Sequence, residues 1–254
     1  MTLVQETRYE GAVMNEITAE DAWDIMVVQD SERSYVELEY SAFLEEYIRV
    51  VKEDSALRIG FSRSLNLPSN TVMKATIHTA SVQKLHFSEA VTATLEGQFP
   101  ETSLTMELND AVTCKGGNFA GNAAVKLSSA STLVDCYFHG QSCEIELKEA
   151  SVFKGWFTED QLVVKMSGAS RLTTYGGTVV SADVEVSEAS FLNTLQTFIS
   201  EKMIVMIKGA SEASVAVNRP ALLDGFVVDA STLYYQGNPI LNVSCDVTST
   251  LQPL

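Results

Sequence analysis

The sequence predicts an all-β chain: a right-handed, single-stranded parallel β-helix, with solenoid coils of about 20 residues, behind an N-terminal β-rich cap. Three observations predict it. One short phrase recurs at a near-constant spacing, apolar and polar residues alternate within each copy, and the same offsets stay apolar from copy to copy. A period near twenty marks a solenoid, and period-two alternation marks strands rather than helices.

The phrase first reads Leu85-His-Phe-Ser-Glu-Ala90 and then Met106-Glu-Leu-Asn-Asp-Ala111. It returns around Ala130, Ala150, Ala169, Ala189, Ala210 and Ala230, at spacings of 21, 19, 20, 19, 20, 21 and 20 residues. Three residues before these alanines stand Phe87, Leu108, Leu127, Leu147, Met166, Val186, Ile207 and Val227, all apolar. Five before them the column is apolar except at Gly225, and three after them it runs from Ala93 to Leu233 with no polar member. If each repeat is one coil, these columns stack inward.

Between the two leading apolar columns lies a polar one. It contains His86, Glu107, Lys126, Glu146, Lys165 and Glu185, and ends in Met206 and Phe226. Parallel strands lie ~4.8 Å apart, so Glu107 to Glu185 would form an outer ladder of alternating sign. Met206 and Phe226 either point outward as a contact patch or mark a register shift that buries them. After the alanine comes serine in six copies, from Ser131 to Ser231. That small phrase reads as a corner, with hydroxyls positioned to bond along the axis. Phe99, Phe119, Phe138, Phe157 and Phe198 follow their alanines by seven to nine residues and read as an internal aromatic stack. A leucine-rich repeat would need an asparagine column, and a calcium-binding nonapeptide GGxGxD; neither is present. Three strands per coil with right-handed crossovers fit best.

Residues 1–75 read as the cap and 76–254 as repeats with a closing coil, together one structural unit, because no Gly/Ser/Pro-rich linker divides them. In the cap, Trp23–Val28 and Tyr35–Tyr40 read as strands around a polar turn. Phe43–Tyr47 reads as a short helix, and Ile48–Val51 with Leu57–Phe61 as a hairpin. At the far end Gly237-Asn238-Pro239 makes a turn before a degenerate last copy.

Charge narrows the partners. Lys plus Arg is 17 and Asp plus Glu is 33, a net −16. Such a chain repels phosphate backbones and anionic bilayers, so nucleic acid is not an expected partner. No apolar run approaches the ~20 residues of a membrane helix, so no direct membrane span is expected. Cys114, Cys136, Cys143 and Cys245 form no CxxC pair, and with three histidines no metal or other cofactor is expected. Cys136 and Cys143 either bridge across a turn or are separate buried thiols. Met1–Arg8 lacks the basic start and apolar stretch of a signal peptide.

The order of opening, repeats and close resembles a bacterial family described as putative auto-transporter adhesin, head GIN domain. The opening strand pair, the segment Phe43–Val51, the phrase Ser55–Ile59, the V-x-V-S-G-A-S copies (nearest at Val164–Ser170) and the close Ser231–Pro239 carry the resemblance. It implies an exported, periplasmic or cell-surface protein of β-helical type, and supplies no catalytic residues.

Three functions are weighed. The first is a non-catalytic envelope or surface binding module, adhesin-like, recognising glycan or protein through Trp156, Tyr175, Tyr234 and Tyr235. The competing reading is that these residues merely cover the core. The second is a pectinase-like, polysaccharide-active enzyme using the acidic column Glu89, Asp110, Glu149, Glu188 and Asp229. Glu149 and Glu188 would stand ~10 Å apart, slightly long for an inverting pair. The third is a structural envelope protein that self-assembles into homo-oligomers through an exposed edge or side.

Overall fold

A corner with two consecutive left-handed residues organises the whole chain. In the computed structural model, which describes residues 2–100 and 103–254, Glu89 and Ala90 have φ 54° and 62°. The pattern repeats at Asp110–Ala111, Ser129–Ala130, Glu149–Ala150, Gly168–Ala169, Glu188–Ala189, Gly209–Ala210 and Asp229–Ala230. A non-glycine residue there costs about 1–2 kcal/mol, and a bulky one more, which explains the small alanine. The coils offset this cost together. The Ala130 N–H donates to the Glu149 carbonyl at 2.8 Å and the Ala150 N–H to the Gly168 carbonyl at 2.7 Å, and so on along the axis.

Among the described residues, seven strands precede the regular repeats: β1 (Leu3–Arg8), β2 (Glu16–Ala19), β3 (Asp24–Gln29), β4 (Tyr35–Ser41), β5 (Ile48–Glu53), β6 (Ala56–Phe61) and β7 (Met73–Thr79). The coils follow as β8 (Lys84–Phe87), β9 (Thr92–Phe99), β10 (Leu104–Leu108), β11 (Thr113–Ala120), β12 (Ala123–Leu127), β13 (Thr132–Leu147), β14 (Val152–Met166), β15 (Arg171–Val186), β16 (Phe191–Ile207), β17 (Glu212–Val217), β18 (Leu222–Val227), β19 (Thr232–Gln236), β20 (Ile240–Cys245) and β21 (Thr250–Pro253). From β8 onward each strand pairs in parallel with its counterpart one coil away. The protein is therefore a β-solenoid with coils of about 20 residues. Separate walls merge in the middle coils. β13 runs 16 residues without interruption, bent at the Val134/Cys136 bulge and again where inward alternation lapses at 139–142.

The predicted apolar columns line the interior. Leu127, Leu147, Met166, Val186 and Ile207 are buried, as are Leu133, Phe153, Leu172 and Leu192. Each such side chain contributes about 1.5–3 kcal/mol. The corner serines are buried too. Ser190 Oγ accepts the Ser170 N–H at 3.2 Å, Ser231 Oγ that of Ser211 at 3.2 Å, and Ser249 Oγ that of Ser231 at 3.2 Å. Ser190→Ala leaves a buried N–H without its acceptor and is expected to cost about 1–3 kcal/mol, read as a shift in the urea midpoint. A variant as stable as wild type would show that the hydroxyl ladder contributes nothing.

The aromatic stack is real for four of its five expected members. Phe99–Phe119, Phe119–Phe138 and Phe138–Phe157 have centroids 5.1, 5.5 and 6.1 Å apart. Phe198 departs from the expectation. The column from Phe157 continues through Gly177 to Thr197, and Phe198, one residue on, faces outward at 51% exposure. One residue of offset moves a side chain to the other face. Thr197 is buried in its place, its hydroxyl bonded to Thr174 at 2.7 Å. Cys136 and Cys143 are buried free thiols rather than a bridge.

The N-terminal strands hold one more copy than the alanine count found. Ile17-Thr-Ala-Glu-Asp-Ala22 follows the same pattern, with φ 65° at Asp21 and 57° at Ala22. β2 and β3 pair in parallel with β8 and β9, so the periodic stack extends back to residue 16. A long excursion then returns before β8. β5 and β6 form the expected hairpin, and the short helix appears as a 3-10 turn at Ala42–Leu44. β3 and β4 are both strands, but they do not pair. β7 lies between them, parallel to β3 and antiparallel to β4, and β1 pairs antiparallel along β4.

Candidate functional site

The outer face of β13–β16 carries the strongest aromatic feature. Tyr137 lies in register with Trp156, and Trp156 with Gly176. Trp156 and Tyr175 are 38% and 39% exposed, with ring centroids 4.8 Å apart and planes tilted by 57°. The Gly155/Trp156 bulge sets Tyr175 beside the indole rather than directly opposite it. Partial burial, and then the Asp135 carboxylate, raises the Tyr175 hydroxyl above the usual phenol range. One column over, His139, Thr158, Thr178 and Phe198 lie in register on the same face. Tyr137 Oη and Thr158 Oγ1 are hydrogen-bonded at 2.8 Å. Phe198 borders an open groove of about 470 Å³ whose walls include the amides Gln196, Asn218 and Gln236. Aromatic faces beside neutral amides suit ring stacking with hydrogen bonding.

Of the four candidate aromatics, Trp156 and Tyr175 come together and the tyrosine pair stands apart. Tyr234 is in the column of Ser214, Asn193 and Thr173, three strand spacings, ~14 Å, along the axis from β15. Tyr235 packs partly against the core. Phe198 and Tyr137 were missed. Strict alternation from Leu192 and Thr194 would place Phe198 inside; the inward set shifts by one residue to Thr197 and Ile199, and that break turns Phe198 outward.

The charged column is in the expected register, Glu107 to Lys126, Glu146, Lys165 and Glu185. Its closest ion pairs, however, cross to neighbouring columns. Lys148 bonds Glu146 at 2.5 Å, Lys165 bonds Glu144 at 3.0 Å and Lys208 bonds Glu185 at 2.6 Å. Lys148 first, then Lys126 and Lys165, hold Glu146 below the usual carboxylate range. Such exposed pairs are worth about 0–1 kcal/mol each. Met206 and Phe226 continue the column without a register shift and face outward, half-buried, beside Ile204 and Val163 in a shallow groove of about 250 Å³.

The acidic corner column is occupied structurally. Glu149 Oε2 accepts the Ser129 hydroxyl at 2.9 Å and Glu188 Oε2 the Gly168 N–H at 3.1 Å, each tying one corner to the next. Burial, then Asp21 and Glu20, raises the Glu89 carboxyl. At the last corner Asp246 accepts the Asp229 N–H at 3.0 Å; the Ser249 hydroxyl first, then this bond, lowers it to about 2. Among the described residues no cluster of three or more His, Cys, Asp or Glu could hold a metal ion, and no helix is long and apolar enough to cross a membrane.

Residues 14–239 match the model of the family described as putative auto-transporter adhesin, head GIN domain. Similar solved structures show the same fold. One is a putative adhesin from Parabacteroides merdae ATCC 43184, at TM-score 0.72 and 12% identity, covering 99% of this chain and 96% of that one. A second, a putative adhesin from Parabacteroides distasonis ATCC 8503, has TM-score 0.72 and 13% identity over 100% and 97%. A putative lipid binding protein from the same organism has TM-score 0.61 and 20% identity over 98% and 96%. Comparison with the curated proteins finds no match.

Proposed function

We propose a function from one premise: this chain belongs to the putative auto-transporter adhesin, head GIN domain family. It serves as a non-catalytic recognition module at the cell envelope, exported to the periplasm or the surface, and it binds glycan chains. The single observation that carries this is the exposed Trp156–Tyr175 pair on a flat parallel wall. Large aromatics left in water at a rigid surface are the residues that anchor ligands. Phe198, the amide-lined groove and, among the described residues, two aromatic columns without lysine or arginine, beside the Asp135 carboxylate, support a sugar ligand that carries no negative charge. The engagement of Glu149 and Glu188 in corner hydrogen bonds speaks against the enzyme reading, which needs a free carboxylate pair.

The test is binding of the purified protein to neutral polysaccharides, polyuronates and surface glycoproteins, with released sugar assayed in each mixture. Saturable binding without release is expected. Trp156→Ala with Tyr175→Ala is expected to weaken it at least about tenfold, the effect of losing one to two stacked rings. Binding that is indifferent to both substitutions removes the site. Sugar release abolished by Glu149→Gln or Glu188→Gln makes the protein an enzyme.

A further inference from the structure

The two ends of the solenoid are finished differently. At the N-terminal end the outermost strands carry charge: Glu6 and Arg8 on β1, and Arg49, Lys52 and Glu53 on β5. Charged edge strands block pairing with other chains. At the opposite end β20 pairs with β18 alone among the described strands, so half of its backbone hydrogen-bonding groups face outward. β20 reads Ile-Leu-Asn-Val-Ser-Cys, with no charge and no proline. Asp246 is the one charged residue between 237 and 254, in a chain that is 20% charged. The interior is also uncovered there. Leu223 is fully buried, while Leu241, the next member of its column, is 44% exposed. Val243 follows Gly225 inward, and Cys245 follows the buried Val227 but is exposed.

We propose that this end face docks a second copy of the same chain, through antiparallel pairing of β20 with the second copy's β20 about a two-fold axis at Val243. Charge selects the occupant. At net −16 two copies repel each other over most of their surface, and this nearly neutral end is where they can approach. Register fits it as well. Centred on Val243, the pairing sets Val243 against its own counterpart and Leu241 against the second copy's Cys245, so the inward-facing set meets itself. Head-to-tail stacking would instead set this uncharged edge against the charged β1 and β5. The inference is independent of the glycan reading, since it uses none of the aromatic face.

Sedimentation equilibrium of the purified chain tests it. A monomer–dimer equilibrium is expected, tightening as salt rises from about 50 to 500 mM because screening removes the repulsion. Leu241→Lys is expected to raise the dimer Kd at least tenfold while the far-UV spectrum is unchanged. Val243→Cys in a Cys245→Ser background is expected to form an intermolecular disulfide under mild oxidation, because opposed residues at a two-fold lie within bridging distance. Ile240→Cys in the same background is expected not to. A strict monomer at every concentration overturns the proposal. So does a dimer unaffected by Leu241→Lys, an open-ended polymer, or equal cross-linking at positions 240 and 243.

Discussion

Gly177→Ala is expected to cost more than about 4 kcal/mol, and to leave little folded protein, whereas Gly176→Ala one residue away is expected to cost about 1–3 kcal/mol. Both glycines have positive φ, 154° at 176 and 123° at 177, so both substitutions carry backbone strain. They differ in what a methyl group meets. At 176 the nearest atom is Trp156 Cδ1 at 3.5 Å, an ordinary contact. At 177 the new carbon would sit 1.7 Å from the Phe157 carbonyl oxygen and 2.7 Å from its carbonyl carbon. That carbonyl belongs to the adjacent parallel strand, and moving it breaks the ladder between β14 and β15, the wall that holds Trp156 and Tyr175. Urea midpoints and soluble yields of the two variants check this. Equal stability of the pair would mean that the strands separate there at little cost.

The same site shows what was legible beforehand. The corner alanines and the three apolar columns are local, period-two features repeated many times, so the coil register could be read directly, down to Glu107–Lys126–Glu146 in one column. Features that depend on a single residue's offset were not. Phe198 was grouped with the internal phenylalanines because seven to nine residues after the alanine spans both faces, and only the bulges in β15 and β16 decide which face it takes. The copy at Ile17–Ala22 was hidden by its distance of 68 residues from Ala90 and by Trp23 at the place usually held by serine or valine. The position of β7 between β3 and β4 is a long-range pairing with no local signature. Trp156 and Tyr175 were legible as candidates, but their contact depends on the bulge at Gly155.

Glu159→Gln is expected to stabilise the protein at pH 8 and to leave it nearly unchanged at pH 4. Glu159 continues the inward alternation of Phe153, Gly155 and Phe157, so its carboxyl enters the interior of the solenoid. It lies in register with Gly140 and Val179, is 3% exposed, and neither carboxyl oxygen has a hydrogen-bond partner. Burial first, and then the Asp160 carboxylate, raises it from 4.5 to about 7. The sign follows from proton counting. Between about 4.5 and 7 the unfolded chain has released this proton and the folded chain still holds it, so stability falls as pH rises through that window. Below the window both states are protonated and nothing is lost. Above it both are ionised and the full penalty stands, about 3 kcal/mol for a shift of this size. Glutamine has the same shape and never ionises, so the difference in unfolding free energy between variant and wild type should open across pH 4.5–7 and then level off. Taking that difference cancels the other titrating groups, including Asp246, whose low value places its own window at more acid pH. Parallel stability curves from pH 4 to 8 would show that water or a cation reaches the carboxylate. An opening difference would identify one inward carboxyl, on the wall behind Trp156, as a group whose ionisation weakens this solenoid as pH rises from 4.5 to 7.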